Sequence, residues 1–166
     1  MSKGAGNKDE TLIEQLSKLI PKKYNKAGVV LYKHFDDKIK QLVEDGDDLT
    51  QLHLWEETGP NGTKVMIECL KQLNINTIES IRLWKIKTED EGVRALCDYI
   101  QACNQNLAIL DLLDNGIGYL GCKFIGDMYY LNFKTIMINT LVLDHNSISD
   151  KGLESLVNGL RKSSTL

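Results

Sequence analysis

The sequence predicts an α/β fold in which a strand, a turn and a helix recur along the chain and stack on one another. In residues 141–152, LVLDHNSISDKG, Leu141 and Leu143 alternate with other positions, as a strand with one buried face requires. Gly152 follows where a helix begins close to that strand. The same pattern occurs three times earlier in the chain. Because one such unit cannot bury both of its apolar faces alone, we expect the copies to pack side by side.

The turn and the helix of this unit follow from the spacing of polar and apolar residues. Asn146 stands where the chain leaves the strand and unpaired backbone groups need partners. Ile148 then fills the inside of the turn. Leu153, Leu156 and Leu160 recur at helical spacing, which predicts a helix with one apolar face.

Residues 1–48 are predicted to form two helices that precede the first copy. The first helix has a capping box of Thr11 and Glu14, and Pro21 is expected beyond its end. The second is expected over about 29–44, where apolar residues again lie on one face. An open end of a stacked array would expose its core, so we interpret these helices as an N-terminal helical cap.

Residues 49–166 contain about four units of similar length. Their openings are Leu49-x-x-Leu52-x-Leu54, Ile78-x-x-Ile81-x-Leu83, Leu107-x-x-Leu110-x-Leu112 and Ile138-x-x-Leu141-x-Leu143. The starts at 49, 78, 107 and 138 lie 29, 29 and 31 residues apart. The excess falls in the third unit, where the aromatic-rich segment 126–139 predicts an extended helix end or a protruding loop. Leu166 occupies the opening position of a fifth unit, which also fits a fragment of a longer repeat protein.

The units resemble ribonuclease-inhibitor-type leucine-rich repeats, which combine LxxLxLxxNxI with a glycine and a helix. The asparagine and isoleucine positions are filled in the last two units, by Asn115 with Ile117 and by Asn146 with Ile148. The first two units hold Glu57 and Ile86 at the asparagine position, so their turns must satisfy backbone donors differently. The resemblance implies a right-handed α/β solenoid, a horseshoe with parallel strands on the concave face and helices on the convex face.

A glycine-rich turn suggests a competing function. Gly116, Gly118 and Gly121 follow a strand and open a helix, and Asp144 comes 23 residues later, as in the dinucleotide-binding fingerprint. In the alignment of the units, however, only Gly121 belongs to the repeat, and Asp114 would lie near the phosphates. A nucleotide-binding enzyme that uses this turn is therefore the less favoured alternative.

Other side chains form no pattern typical of catalysis or metal binding. His34, His53 and His145 fall in the cap, a strand and a turn, and no nucleophile motif converges on them. The four cysteines have no CxxC spacing, so we expect reduced and mostly buried thiols at Cys69, Cys97, Cys103 and Cys122. We therefore expect a protein without enzymatic activity, cofactor or metal ion.

Residues that alternate with the buried leucines should face the concave side of the sheet. The candidate partner-binding residues on this face are Trp55, Trp84, His53, Arg82, Asp111, Leu113 and Asp144. Neighbouring parallel strands stand about 4.8 Å apart, so Trp55 and Trp84 should be adjacent. Two exposed indoles beside an arginine are typical of an interface hot spot. Alternatively, the indoles fold over the edge of the array and pack near Pro60 and Ile86.

Composition limits the class of partner. The 166 residues carry a net charge of −3, which argues against nucleic acid as the main partner because phosphate neutralisation needs a basic surface. The start of the chain has no secretory signal, and no apolar run reaches membrane-spanning length. We expect no membrane insertion and an intracellular location, cytoplasmic or cytoskeletal.

These observations predict a protein–protein interaction scaffold that binds a partner protein through its concave face. The family resemblance implies partners in cytoskeletal or ciliary assemblies, small GTPases, or enzymes regulated by direct binding. Among these, the short array favours a component of a larger cytoskeletal complex, and the alternative is a regulator of a small GTPase or of another enzyme.

Overall fold

The computed structural model describes residues 10–31, 33–103, 106–132 and 134–161. These residues form the elements α1 (Leu12–Ala27), α2 (Lys33–Asp45), β1 (Gln51–Leu54), α3 (Gly59–Gln72), β2 (Ser80–Leu83), α4 (Glu89–Cys103), β3 (Ile109–Asp111), α5 (Tyr119–Asn132), β4 (Thr140–Val142) and α6 (Asp150–Leu160). Strands and helices alternate from β1 onward, so the predicted α/β repeat fold is confirmed. In the part of the chain described here, no helix is long and apolar enough to cross a membrane.

The four strands form one parallel sheet in the order β1-β2-β3-β4. Leu52 pairs with Ile81, Ile81 with Leu110, and Leu110 with Leu141. These are the residues that the sequence alignment of the units placed opposite one another. The helices α3, α4, α5 and α6 pack in the same order, each against the next. Each unit therefore contacts its neighbours through both its strand and its helix.

The core consists of the inward residues of the strands and the apolar faces of the helices, which form one cluster. Burial is less complete at the fourth unit. Leu110 and Leu112 are buried in the third unit, whereas their counterparts Leu141 and Leu143 are only partly buried. The sheet ends at β4, so among the described residues this unit has a neighbour on one side only.

Helix α1 is longer than the sequence predicts. The capping box is confirmed, since the Thr11 side chain accepts from the Glu14 amide and the Glu14 side chain accepts from the Thr11 amide. Pro21 lies inside the helix, so the expectation that the helix ends before it is wrong. Proline removes one backbone hydrogen bond, but the segment beyond it is held in place by Tyr24. The buried Tyr24 hydroxyl donates to the carbonyl of Gly62 at 2.9 Å.

Helix α2 begins at Lys33, four residues after the predicted start. Gly28 ends α1 in the left-handed conformation with φ of +66°, and the amide of Val29 donates to the carbonyl of Tyr24. Val29 and Leu31 therefore belong to the connection between the helices, although both pack on the core. Helix α1 contacts both α2 and α3.

Among the described residues, the helix of the third unit is not extended. Helix α5 spans 14 residues, as does α3, so the prediction of a longer helix end is wrong. Tyr129 is buried in the core and Tyr130 is exposed. After α5, Ile136 and Ile138 are buried, which ties the connection to the core. Phe133, and Leu166 in the opening position of a fifth unit, lie outside the described residues.

Candidate functional site

The strand register brings three of the predicted surface residues into one row. His53 on β1 pairs with Arg82 on β2, and Arg82 pairs with Asp111 on β3. Their neighbours Leu52, Ile81 and Leu110 are buried, as the alternation of side chains along a strand requires. Trp55 and Trp84 directly follow β1 and β2, and Leu113 and Asp144 come two residues after β3 and β4. We call the surface formed by these residues the strand face.

His53 and Arg82 are joined by a hydrogen bond. Arg82 Nη1 lies 2.7 Å from His53 Nε2. A guanidinium has only donors, so Nε2 accepts and the imidazole is neutral, with its proton on Nδ1. Partial burial lowers the pKa of His53 below its usual value, and the charge of Arg82 lowers it further. The interaction therefore fixes both the tautomer and the charge of His53.

The two indoles contact different partners. Trp55 is 51% exposed, and its ring lies against His34 of α2 with centroids 4.2 Å apart and an interplanar angle of 45°. Trp84 is 41% exposed, and its Nε1 donates to Asp111 Oδ2 at 2.8 Å. The second oxygen of Asp111 accepts from the backbone amide of Leu113. The indoles thus follow adjacent strands and keep about half of their surface exposed.

Helix α2 contributes to the strand face, which the sequence did not predict. His34 and Lys38 of α2 line a cleft of about 270 Å³ together with Gln51, His53 and Trp55. His34 and Lys38 are four residues apart and so lie on one side of a helix, but this spacing does not indicate which strand they approach. We call this cleft the α2–β1 cleft.

The asparagines of the last two turns link successive units. Asn146 Oδ1 accepts from the backbone amides of Asn115 at 2.9 Å and Ile117 at 3.0 Å. Asn146 Nδ2 donates to the carbonyls of Leu112 and Leu143 at 2.8 and 2.9 Å. One side chain therefore satisfies backbone groups of the third and the fourth unit together.

Asn115 forms the same bridge between the second and the third unit. It is fully buried, its Oδ1 accepts from the Thr88 amide at 3.2 Å, and its Nδ2 donates to the carbonyls of Leu83 and Leu113. Buried polar groups of this kind must be paired to be tolerated. The repeated asparagine thus links the third unit to the units on both sides of it.

The Leucine Rich repeat family model matches residues 103–126 and 136–157, which contain both asparagine turns. These two segments are leucine-rich repeats. The match does not distinguish the ribonuclease-inhibitor type, which stays a prediction. A search of the curated proteins finds no match to the chain.

Between the first two units a backbone contact replaces the asparagine bridge. The carbonyl of Ile86 accepts from the amides of Thr58 at 3.0 Å and Gly59 at 2.8 Å, while the Ile86 side chain is buried. The prediction that these turns satisfy their donors differently is confirmed. Lys85, immediately before this position, adopts a left-handed backbone, as do Asp114 and His145 before the two asparagines.

The glycine-rich turn of the third leucine-rich repeat already holds an anionic group. Gly118 donates its amide to Asp90 Oδ1 at 2.7 Å, just before the N-terminus of α5. A Cβ at Gly121 would lie 2.7 Å from the same oxygen. A helix N-terminus attracts phosphate through such amides, but a nucleotide here would have to displace the Asp90 carboxylate. The glycines therefore accommodate a contact between repeats.

Three cysteines are buried as predicted, namely Cys69, Cys97 and Cys122. Burial raises the pKa of each thiol, in the case of Cys69 to about 11. The thiolate is the reactive form of cysteine, so these side chains act as small apolar groups. Cys103 is partly buried. Among the residues that the structure describes, no group of three His, Cys, Asp or Glu side chains is placed to hold a metal ion.

The lowered pKa of His53 predicts a pH dependence of stability. Below pH 6.5 the unfolded chain binds a proton at His53 that the folded chain binds only at lower pH. We therefore expect the His53 contribution to the free energy of unfolding to be lost as the pH falls from 6.5 through the folded pKa. Urea unfolding between pH 7.5 and 5.5 should show a smaller decrease for His53→Gln than for the unaltered chain. An NMR titration in which His53 titrates at or above 6.5 would contradict this expectation.

Proposed function

We propose that this protein is a non-enzymatic scaffold that binds a partner protein through its strand face. Leucine-rich repeats are commonly protein–protein interaction modules and are generally non-enzymatic. The single observation that supports this site best is the pair of half-exposed indoles, Trp55 and Trp84, beside Arg82. Tryptophan and arginine are the residue types that contribute most often to binding hot spots.

Geometry supports a concave strand face and a horseshoe shape. Packed helices stand 8–10 Å apart, whereas neighbouring parallel strands stand about 4.8 Å apart. A stack in which α3 to α6 and β1 to β4 both pack in order must therefore curve toward the strands. The strand face would then surround part of a convex partner.

The contacts of α1 support its role in an N-terminal cap. Helix α1 packs against α3, the helix of the first repeat, and also against α2. The buried hydroxyl of Tyr24 donates to the carbonyl of Gly62 in α3, so a polar contact accompanies the apolar ones. In this proposal α1 covers the helix side of the first repeat, and α2 lies beside β1.

Replacing Trp55 and Trp84 together by alanine should abolish capture of the partner from an extract of the native cell. The change removes two large exposed rings from the centre of the proposed interface, whereas the strands that position them stay paired. Mass spectrometry of the captured proteins then distinguishes a cytoskeletal or ciliary component from a small GTPase or another enzyme. Far-ultraviolet circular dichroism verifies that the double variant folds.

The matched control replaces Tyr130 and Leu131, two exposed residues of α5, by alanine. Capture should survive this loss of apolar surface because the two residues lie on helix α5 and not on the strand face. A second variant, Trp84→Phe, keeps an aromatic ring but loses the donor to Asp111. The proposal fails if the double tryptophan variant captures the partner as well as the unaltered chain, and it loses its main support if that variant unfolds.

A further inference from the structure

We propose that the α2–β1 cleft, together with the adjacent Arg82, receives an anionic side chain of the partner protein. This inference rests on the proposed function and specifies which chemistry the strand face recognises. The cleft is lined by His34, Lys38, Gln51, His53 and Trp55. These provide one ammonium group, two imidazoles, an amide and an indole, but no carboxylate.

Among the residues that the structure describes, the cationic groups at this cleft have no acidic partner within ion-pair distance. Across the described ranges neither Lys38 nor Arg82 forms an ion pair. By contrast, the nearby Lys40 and Lys87 are paired with Asp36 and Glu57 respectively. No described residue therefore pairs with the positive charge of Lys38 or Arg82, and in this proposal a group of the partner does so.

Arg82 is held in place for such a contact. One guanidinium nitrogen is hydrogen-bonded to His53 Nε2, which leaves other donors of the rigid fork open. Arginine keeps its charge at all relevant pH values and matches carboxylate and phosphate oxygens with two parallel bonds. Because Arg82 is partly buried, its position is restricted by the strand as well as by His53.

The neighbouring acid, Asp111, forms no ion pair with Arg82 among the described residues. Asp111 pairs with Arg82 in the strand register, but its oxygens accept from Trp84 Nε1 and the Leu113 amide. Asp144 lies beyond β4, two strand spacings or about 10 Å from the strand of Arg82. On the strand face the cation Arg82 thus lies on β2, and the anions Asp111 and Asp144 lie on β3 and after β4, which would orient a partner of opposite polarity.

The cleft also limits the shape of the anionic group. The Trp55 ring, held against His34, provides an apolar wall, and Gln51 provides an amide. A carboxylate or phosphate on a short aliphatic stem fits these surroundings, because the stem contacts the indole while the oxygens reach Arg82 and Lys38. Aspartate, glutamate and phosphorylated serine share this chemistry, so the test includes both carboxylate and phosphate probes.

The experiment is an NMR titration of the full chain with Nα-acetyl-glutamic acid amide and, separately, Nα-acetyl-phosphoserine amide. We expect shifts of the Trp55 indole and the His53 ring, and a raised pKa of His53, because a nearby anion favours the imidazolium form. Comparison of the two probes decides whether carboxylate or phosphate binds more tightly. Nα-acetyl-glutamine amide, the uncharged equivalent, should produce no such shifts.

Arg82→Gln should weaken binding of the preferred probe by about tenfold, since charge-assisted hydrogen bonds are lost. If Arg82→Gln fails to fold, Lys38→Gln tests the positive charge that α2 contributes to the cleft. The matched control is Lys71→Gln, which removes an equal charge from an exposed position on α3 and should leave binding unchanged.

Equal responses to the glutamic acid and glutamine probes would overturn the inference, as would unchanged binding by folded Arg82→Gln and Lys38→Gln. These outcomes are separable from a failure of the proposed function. If the cleft does not bind anions but partner capture still depends on the tryptophans, only this inference fails. If the cleft binds anions but the tryptophan variant retains capture, only the proposed function of the indoles fails.

Discussion

Replacing Asn115 by alanine should lower the free energy of unfolding by about 3 kcal/mol. Asn115 is fully buried, accepts from the Thr88 amide, and donates to the carbonyls of Leu83 and Leu113. Alanine removes these bonds and leaves buried backbone groups without partners. Each such group costs about 1–3 kcal/mol, and local rearrangement recovers part of the total. Urea unfolding followed by circular dichroism measures the change.

The control for this substitution is Asn61→Ala. Asn61 is exposed in α3 and should change the free energy of unfolding by no more than about 0.5 kcal/mol. A decrease below about 1 kcal/mol for Asn115→Ala would mean that water enters the turn and satisfies the backbone groups in place of the amide.

The second large effect is expected for Gly159→Ala. Helices α5 and α6 approach so closely at Gly126 and Gly159 that a Cβ at Gly159 would overlap the backbone of Gly126. Backbone atoms cannot rotate away, so the helices must separate, at a cost of about 1–3 kcal/mol. Alanine recovers up to about 1 kcal/mol through its higher helix propensity. We expect a net loss of about 2 kcal/mol in thermal or urea unfolding.

Asn158→Ala provides the comparison at the preceding residue of α6, where the side chain is exposed. It should leave the stability unchanged or raise it slightly, because alanine favours the helix and no backbone lies in the way. A neutral or stabilising effect of Gly159→Ala would mean that α6 moves away from α5 without loss of packing.

Much of the repeat architecture could be predicted from the sequence because it depends on periodic spacing. The units align at Leu52, Ile81, Leu110 and Leu141, and these residues pair in the parallel sheet. The errors arose where tertiary contacts decide the local structure. Pro21 predicts a helix end, yet α1 continues to Ala27. The hydrogen bond from Tyr24 to Gly62 holds the part of α1 that follows the proline.

The candidate site was predictable in part. Alternation along the strands indicated which residues share a face, and the register places His53, Arg82 and Asp111 in one row. The side-chain partners were not predictable, since they depend on rotamers and on how α2 lies beside β1. The stacking of His34 on Trp55, and the bond from Trp84 to Asp111, thus appeared only in the structure.

Because burial is uneven along the stack, we expect one end of it to unfold locally before the other. In repeat proteins each unit draws much of its stability from contacts with its neighbours. Leu141 and Leu143 are only partly buried, and within the described chain no strand pairs with the outer edge of β4. Subglobal opening and amide exchange should therefore begin at the fourth unit. Trp55, Arg82 and Trp84 lie toward the opposite end, so this part of the strand face can stay assembled while the far end fluctuates.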